Sequence, residues 1–404
     1  MMLSIDREEK ALILNVGMAL VGRELEVQKK VSIEIEDGRI TSIASGFRSK
    51  GLTFKHGVAM PALVNAHMHV LDYAFQEAGL NLELSELVSE PHGLKHKLIS
   101  TLNERDMRNA ALRLFNKLIR QGVYKAVIFC ERLEAISLLR DAAKALGLDV
   151  TLLARPKRLN GRLLIGEALD KADGLGLDSP LRYSISELEQ MSSECIKRGL
   201  LKATHISEIH MTHRQGDVKL AIEHFNSDMA IHGVHLEEDD VYALSLNNVS
   251  LVLCPRSNMW FSSGLPPLRY LLKHDVNLLI GTDNAGWINP DMWRELEALF
   301  NLSRLQGLHV DPREILKIAT VNIHRVKGMK APNNILEEGL DANFIILNGE
   351  EIDLGYSQNI YASIVKRGCP EAVIYRVFSR LVIEEPYDFI GRSSLRGFSA
   401  NASN

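Results

Sequence analysis

From Val58 onward the chain repeats one unit: a short apolar run, a loop, then an amphipathic stretch. This repetition constrains the fold more than any other feature of the 404 residues. The apolar runs are residues 58–66, 124–129, 150–154, 174–177, 202–204, 229–231, 249–253 and 276–280. Runs of this length between turn residues suit strands. Between them, residues 105–122, 133–147 and 184–199 have helical periodicity and close on glycine, a good C-cap. Ser184, followed three residues later by Glu187, fits a capping box. Strands alternating with helices imply a parallel sheet with right-handed crossovers. Eight such units in about 270 residues match an α/β fold of the (β/α)8 TIM barrel type. A doubly wound sheet is the alternative, but no Gly-rich phosphate turn follows any of the strands.

Both ends of the chain read differently. Residues 10–16, 31–35 and 40–44 alternate apolar and polar, with a hairpin turn at Asp37-Gly38. After Gly339, residues 343–347 and 373–377 return to short strands. The two termini are therefore expected to build one small β-sandwich outside the barrel. The expected division is 1–57 and 339–404 for the sandwich and tail, and 58–338 for the barrel. The tail from Gly391, rich in Ser, Gly, Arg and Asn, reads as loose.

Composition removes several function classes. A formal net charge of −4 and scattered Lys and Arg leave no basic stripe for nucleic acid. No apolar run approaches the roughly 18 residues of a membrane span. The acidic start, with Asp6, Glu8 and Glu9, is unlike a signal peptide. Cys130, Cys195, Cys254 and Cys369 lie far apart without C-x-x-C spacing, so neither a disulfide framework nor a zinc ribbon is read. The expectation is a cytoplasmic protein with a small-molecule substrate, and neither nucleic acid nor membrane as partner.

The chemistry gathers where strands stop. His67 and His69 stand two apart at the end of the first strand, so both imidazoles share a face and can reach one cation. Barrel sites form at the C-terminal ends of strands. There too stand His205 after the fifth strand, His232 after the sixth and Asp283 after the eighth. Three of these four imidazoles with the carboxylate suit zinc or iron with a water position left open. Glu208, three residues past His205, is a candidate general acid or base rather than a ligand. Arg155, ending strand three, is a candidate clamp for a substrate carboxylate or phosphate, with Arg158 nearby. Glu131, ending strand two, either meets substrate or pairs with a neighbouring Lys or Arg. Trp287 either stacks on a planar ring or packs. Lys95 and His96, in the 89–96 loop after strand one, could hold an acidic group, and His210 and His213 could extend the site.

The motifs together resemble one family. His67-Met68-His69 after Pro61, His205-Ile206-Ser207-Glu208 and Ala230-Ile231-His232-Gly233-Val234-His235 are similar to the metal-dependent amidohydrolase superfamily. Cys254-Pro255-Arg256-Ser257-Asn258 and Gly281-Thr282-Asp283-Asn284 resemble its cytosine deaminase, chlorohydrolase and S-adenosylhomocysteine deaminase branch. The resemblance covers nearly the whole chain, including the turn at residues 35–40. It implies one divalent metal, zinc or alternatively iron or manganese, held by His67, His69, His205 and Asp283. Binuclear relatives place a modified lysine at the end of strand four, where residues 174–179 have none. It also implies that Asp283 takes a proton from a metal-activated water and that His232, with His235 as rival, positions the oxygen. Glu208 then protonates a ring nitrogen and helps an amine depart. The implied activity is hydrolytic deamination of a purine, pyrimidine or pterin type of ring. Cyclic-amide hydrolysis and triazine-type dechlorination are alternatives at the same site, and a non-catalytic barrel is a third. A homodimer is common among the proteins it resembles.

Overall fold

The structure, a computed structural model, describes residues 11–88, 92–329, 334–379 and 381–384. Its centre is a ring of parallel strands: β1 (Leu63–His69), β2 (Val123–Cys130), β3 (Asp149–Ala154), β4 (Gly174–Leu177), β5 (Leu201–Ile206), β6 (Met229–His232), β7 (Ser250–Leu253) and β8 (Leu278–Ile280). They pair in chain order. The last strand is broken in two, and that break closes the barrel. β8 pairs with β7, and the segment Asp283–Asn284 then pairs with β1, Asp283 opposite Met68 and Asn284 opposite His69. Gly281 makes the seam, because a Cβ there would lie 2.7 Å from the His67 N and O atoms. The Asn65 amide stitches it, donating to Thr282 Oγ1 at 2.8 Å and accepting from the Thr282 N–H at 3.1 Å. The seam carries Asp283 to the side of His67 and His69.

Helices follow where the sequence places them. Glu104–Arg120 turns Met107, Ala111, Leu114, Phe115 and Leu118 inward, the spacing of one helical face. Ala135–Leu146 and Ile185–Arg198 end on Gly147 and Gly199 in the left-handed region, where a side chain would be strained. Ser184 and Glu187 form the capping box. No helix among the described residues is long and apolar enough to cross a membrane.

The termini meet in a seven-stranded sheet ordered Leu381–Glu384, Val373–Phe378, Asn343–Asn348, Leu52–Pro61, Leu12–Val21, Glu26–Glu36 and Arg39–Ser45. Asp37 and Gly38 both take positive φ, +48° and +76°, as a tight hairpin needs. The far edge folds back: Ile40 N–H donates to Leu340 O, and Ala342 N–H to Gly38 O. This encloses a second core of Leu14, Val16, Ile33, Phe344 and Ile346. The expected sandwich is thus one folded sheet with two faces. Arg376 fastens it to the barrel. Its buried guanidinium donates from Nε to Ile119 O at 2.9 Å and from Nη2 to Arg120 O, neutralising the C-terminal end of helix Glu104–Arg120.

One strand reading is corrected. Residues 58–66 are not a single strand: Val58–Pro61 finishes a strand of the terminal sheet, and the barrel begins at Leu63. The chain changes sheet between neighbours, since Ala62 N–H donates to Asn343 O and Leu63 N–H to Gly122 O. Both stretches are buried, so the apolar pattern contains no break to mark the change. The start of the first expected strand, Lys10, and the tail from Gly391 lie outside the described residues.

Candidate metal centre and active site

β1, β5 and the Asp283–Asn284 segment deliver His67, His69, His205 and Asp283 to one point, with a ligand atom of each within 4.8 Å of the others. The outer hydrogen bonds fix which nitrogen faces inward. His205 Nδ1–H donates to Leu177 O at 2.9 Å, and His69 Nδ1–H to Glu131 Oε1 at 2.6 Å. That leaves the Nε2 lone pair of each turned to the centre. There His205 Nε2 lies 3.3 Å from His67 Nε2. Asp283 Oδ1 lies 3.2 Å from His67 Nε2 and 3.5 Å from His69 Nε2. The His69 and His205 lone pairs packed against the Asp283 carboxylate are costly without a cation between them, so this donor set fits a metal.

Protonation of two of the three imidazoles agrees with that fit; at His69 burial and Lys95 pull the pKa downward, but Glu131 and Asp283 outweigh them and raise it. Burial pushes His67 down to about 4 even though Asp283 pulls upward, and it pushes His205 well below the usual imidazole range. Both are therefore neutral near pH 7, as a ligand must be. For Asp283, burial opposes ionisation, but the His67 hydrogen bond and the imidazoles of His232, His67 and His69 outweigh it and hold its carboxyl well below the usual range. Phe129 lies edge-on to His67 with ring centroids 4.5 Å apart and forms an apolar side to the site.

His232 and Glu208 complete the arrangement. His232 Nδ1–H donates to Asn258 Oδ1 at 2.8 Å, so Nε2 faces Glu208 Oε2 at 3.8 Å and Asp283 Oδ2 at 4.0 Å. Three non-glycine residues here adopt positive φ: Ser207 at +47°, His232 at +74° and Asp283 at +58°. Each is a strained turn at a strand end; those at His232 and Asp283 aim the side chain at the centre, and that at Ser207 turns the chain between His205 and Glu208. Asp217 braces the first, accepting Ser207 N–H at 2.6 Å and its Oγ–H at 3.1 Å. Burial raises the Glu208 pKa; His232 opposes this and Asp283 reinforces it. Glu208 therefore keeps its proton to higher pH than an ordinary glutamate.

Two further residues position these groups, and the sequence gives them only as part of a motif. Ser257 Oγ–H donates to Asp283 Oδ2, and Asn258 orients His232. Both ride on the short helix Pro255–Trp260 after β7. Arg256 pins that helix: it donates from Nη1 to Asn289 O at 2.9 Å and pairs with buried Glu295 at 3.2 Å. The available signal is Cys254-Pro255-Arg256-Ser257-Asn258 directly after a barrel strand.

A cavity of about 730 Å³ opens over the centre, walled by His69, His205, Glu208, His232 and Asp283, with Asp178, His96 and Arg182 further out. The proposed substrate residues fall in different places. Arg155 pairs with Asp178, and it is Asp178 that reaches the cavity wall. Arg158 pairs with Glu187 at the surface. Glu131 is taken up by His69 and Lys95. Trp287 is buried, donates to Ala78 O at 2.7 Å and packs edge-on against Phe75 and Phe261, tying the loop after β1 to the loop after β8. His210 and His235 line the outer cavity, whereas His213 pairs with Asp240 at 2.8 Å.

The sequence model of the amidohydrolase family matches residues 58–379. The chain belongs to the amidohydrolase family. An uncharacterized protein of Methanocaldococcus jannaschii is 29% identical over 86% of this chain and 93% of its own. A 5-methylthioadenosine/S-adenosylhomocysteine deaminase of Pyrococcus furiosus is 27% identical over 83% of this amidohydrolase and 86% of that protein. In fold, the crystal structure of an adenosine deaminase from Xanthomonas campestris with bound zinc matches with a TM-score of 0.79 at 17% identity, covering 92% of each chain. This amidohydrolase is accordingly a hydrolytic enzyme, and its three histidines and one aspartate are a site suited to a metal.

Proposed function

We propose that this amidohydrolase removes an amino group from a nitrogen heterocycle by hydrolysis, using one divalent metal, zinc by preference, held by His67, His69, His205 and Asp283. The observation that carries the reading is the meeting of a carboxyl from outside the ligand set with that set: Glu208 Oε2 lies 3.8 Å from His232 Nε2, which lies 4.0 Å from Asp283 Oδ2. A metal there supplies acidification of a water molecule near neutral pH. Asp283, ionised, accepts the proton that the attacking water gives up. His232, its Nδ1–H locked on Asn258, presents Nε2 to the oxygen that becomes the product carbonyl. Glu208 donates its proton to a ring nitrogen as the carbon accepts oxygen. The proton held by Asp283 then goes to the amino group, the carbon–nitrogen bond breaks and ammonia leaves, while the remaining hydroxyl proton passes to Glu208 as the carbonyl forms and restores its carboxyl. The deaminase relatives support an amine as leaving group. Four free thiols suit a reducing cytoplasm.

The test is ammonia release by metal-loaded protein over aminopurines, aminopyrimidines, aminopterins and their nucleosides, with chloride release and ring opening assayed alongside on triazines and cyclic amides. Ammonia from one ring class is expected. Chloride or a ring-opened acid without ammonia would replace the reading with dechlorination or cyclic-amide hydrolysis.

A further inference from the structure

We propose that Lys95 is a positioning residue that sets the aim of two metal-binding side chains at once, His69 through Glu131 and Asp283 through Asn284. Lys95 lies in the first turn of helix Leu94–Thr101, and its side chain is almost wholly buried at the cavity wall, which it helps to line. A buried ammonium must be matched by acceptors, and three lie within reach of Nζ: Glu131 Oε1 at 2.9 Å, Asp72 Oδ2 at 3.1 Å and Asn284 Oδ1 at 3.1 Å.

Two of the three lead inward. Glu131 Oε1, drawn to Lys95, is the same atom that accepts His69 Nδ1–H at 2.6 Å. It thereby fixes both the ring rotation and the tautomer that turns Nε2 to the centre. Asn284 is symmetric enough to sit either way round, but with Oδ1 on the ammonium its amide must face the other way. Its Nδ2–H duly donates to Asp283 Oδ2 at 3.0 Å. That bond, with the one from Ser257, occupies Oδ2 and leaves Oδ1 toward His67 and His69. Asp72 has no route to the centre and balances the remaining charge.

The arrangement also answers what Lys95 does not do. With two carboxylates on its ammonium it presents no net positive charge to a substrate anion, the role that its place in the loop after β1 suggests. The inference rests on the four residues binding a metal and is independent of which bond is hydrolysed.

The experiment is Co²⁺ titration of metal-free protein, wild type against Lys95→Met, read by the visible d–d bands and by competition with a chelator. Lys95→Met should bind Co²⁺ roughly 10–100-fold more weakly, the range usual for lost outer partners of a metal ligand. Its d–d bands should shift as His69 and Asp283 turn, a change that lost stability alone does not produce. Folded Lys95→Met with affinity within about twofold of wild type and unchanged bands would overturn the proposal. If Lys95→Met does not fold, Glu131→Gln and Asn284→Ala cut the two arms singly. Weakened Co²⁺ binding in either supports the relay, and wild-type affinity and bands in both overturn it. Wild type that binds no Co²⁺ defeats the metal site itself, and the relay with it.

Discussion

The two ends of the barrel bury polar groups in opposite ways. Near the N-terminal end of the strands two buried lysines each have a carboxylate counterpart. Lys202 Nζ meets Asp228 Oδ2 at 3.0 Å, and that oxygen also accepts the Lys202 N–H at 2.9 Å. Lys125 meets Asp149 at 2.7 Å. At the C-terminal end, the lone pairs of His69 and His205 and the Asp283 carboxylate face one another, and Asp283 holds a strained backbone there. Paired charge at one end fastens strands together. Unpaired acceptors at the other are stable only when something from outside completes them, so burial alone does not mark a site; unmatched burial does.

Removing a group from each end sharpens that contrast. The largest effect is expected from His205→Ala, which should lose both metal and turnover while folding normally; metal analysis of the purified variant checks it. Glu208→Gln should lower kcat by about 10²–10⁴-fold, the usual worth of a general acid, with metal content retained. Asp228→Ala, at the opposite end, should do the reverse. It strands a buried ammonium and costs about 3–5 kcal/mol in denaturant unfolding, while kcat per folded molecule stays near wild type. A large kcat loss there would break the division between the ends.

Proton linkage gives a smaller effect. His67 is held near 4 in the fold against an ordinary value of 6.5, so below pH 6.5 the unfolded chain takes up a proton that the folded chain refuses. Metal-free protein should lose about 1.4 kcal/mol per pH unit from this group as pH falls from 6.5 toward 4, and keep that stability above 6.5. The gap between urea midpoints at pH 7 and pH 5 should narrow in His67→Asn, with His205 sustaining part of it. The smallest effect belongs to Arg158→Ala, whose surface pair with Glu187 is worth less than about 1 kcal/mol.

Much of this was legible in one dimension, for definite reasons. The barrel strands are short and apolar, and their polar stops at His67, His69, His205, His232 and Asp283 coincide with strand ends. The structure brings these five residues and Glu208 into one cavity or onto its centre. The change of sheet at Ala62 was not legible, because Val58–Pro61 and Leu63–His69 are equally buried. Nor was the break in the last strand, since a two-residue pairing at Asp283–Asn284 leaves no periodicity. Lys95 reads as a loop lysine because its partners, Asp72, Glu131 and Asn284, are distant in sequence and only the folded barrel assembles them. Glu131 and Trp287 show a common limit. A strand-end carboxylate or a nearby tryptophan signals the mouth of the barrel, but sequence does not say whether it faces the cavity or braces a residue that does.

The most direct measurement is bound metal and ammonia release determined on the same preparations of wild type and Glu208→Gln, with the heterocycle that wild type turns over. One metal per chain in both proteins, with ammonia from wild type alone, is the predicted result. Loss of metal in Glu208→Gln, or undiminished ammonia release from it, would contradict the assignment of Glu208 as the proton donor above a metal centre that stands without it.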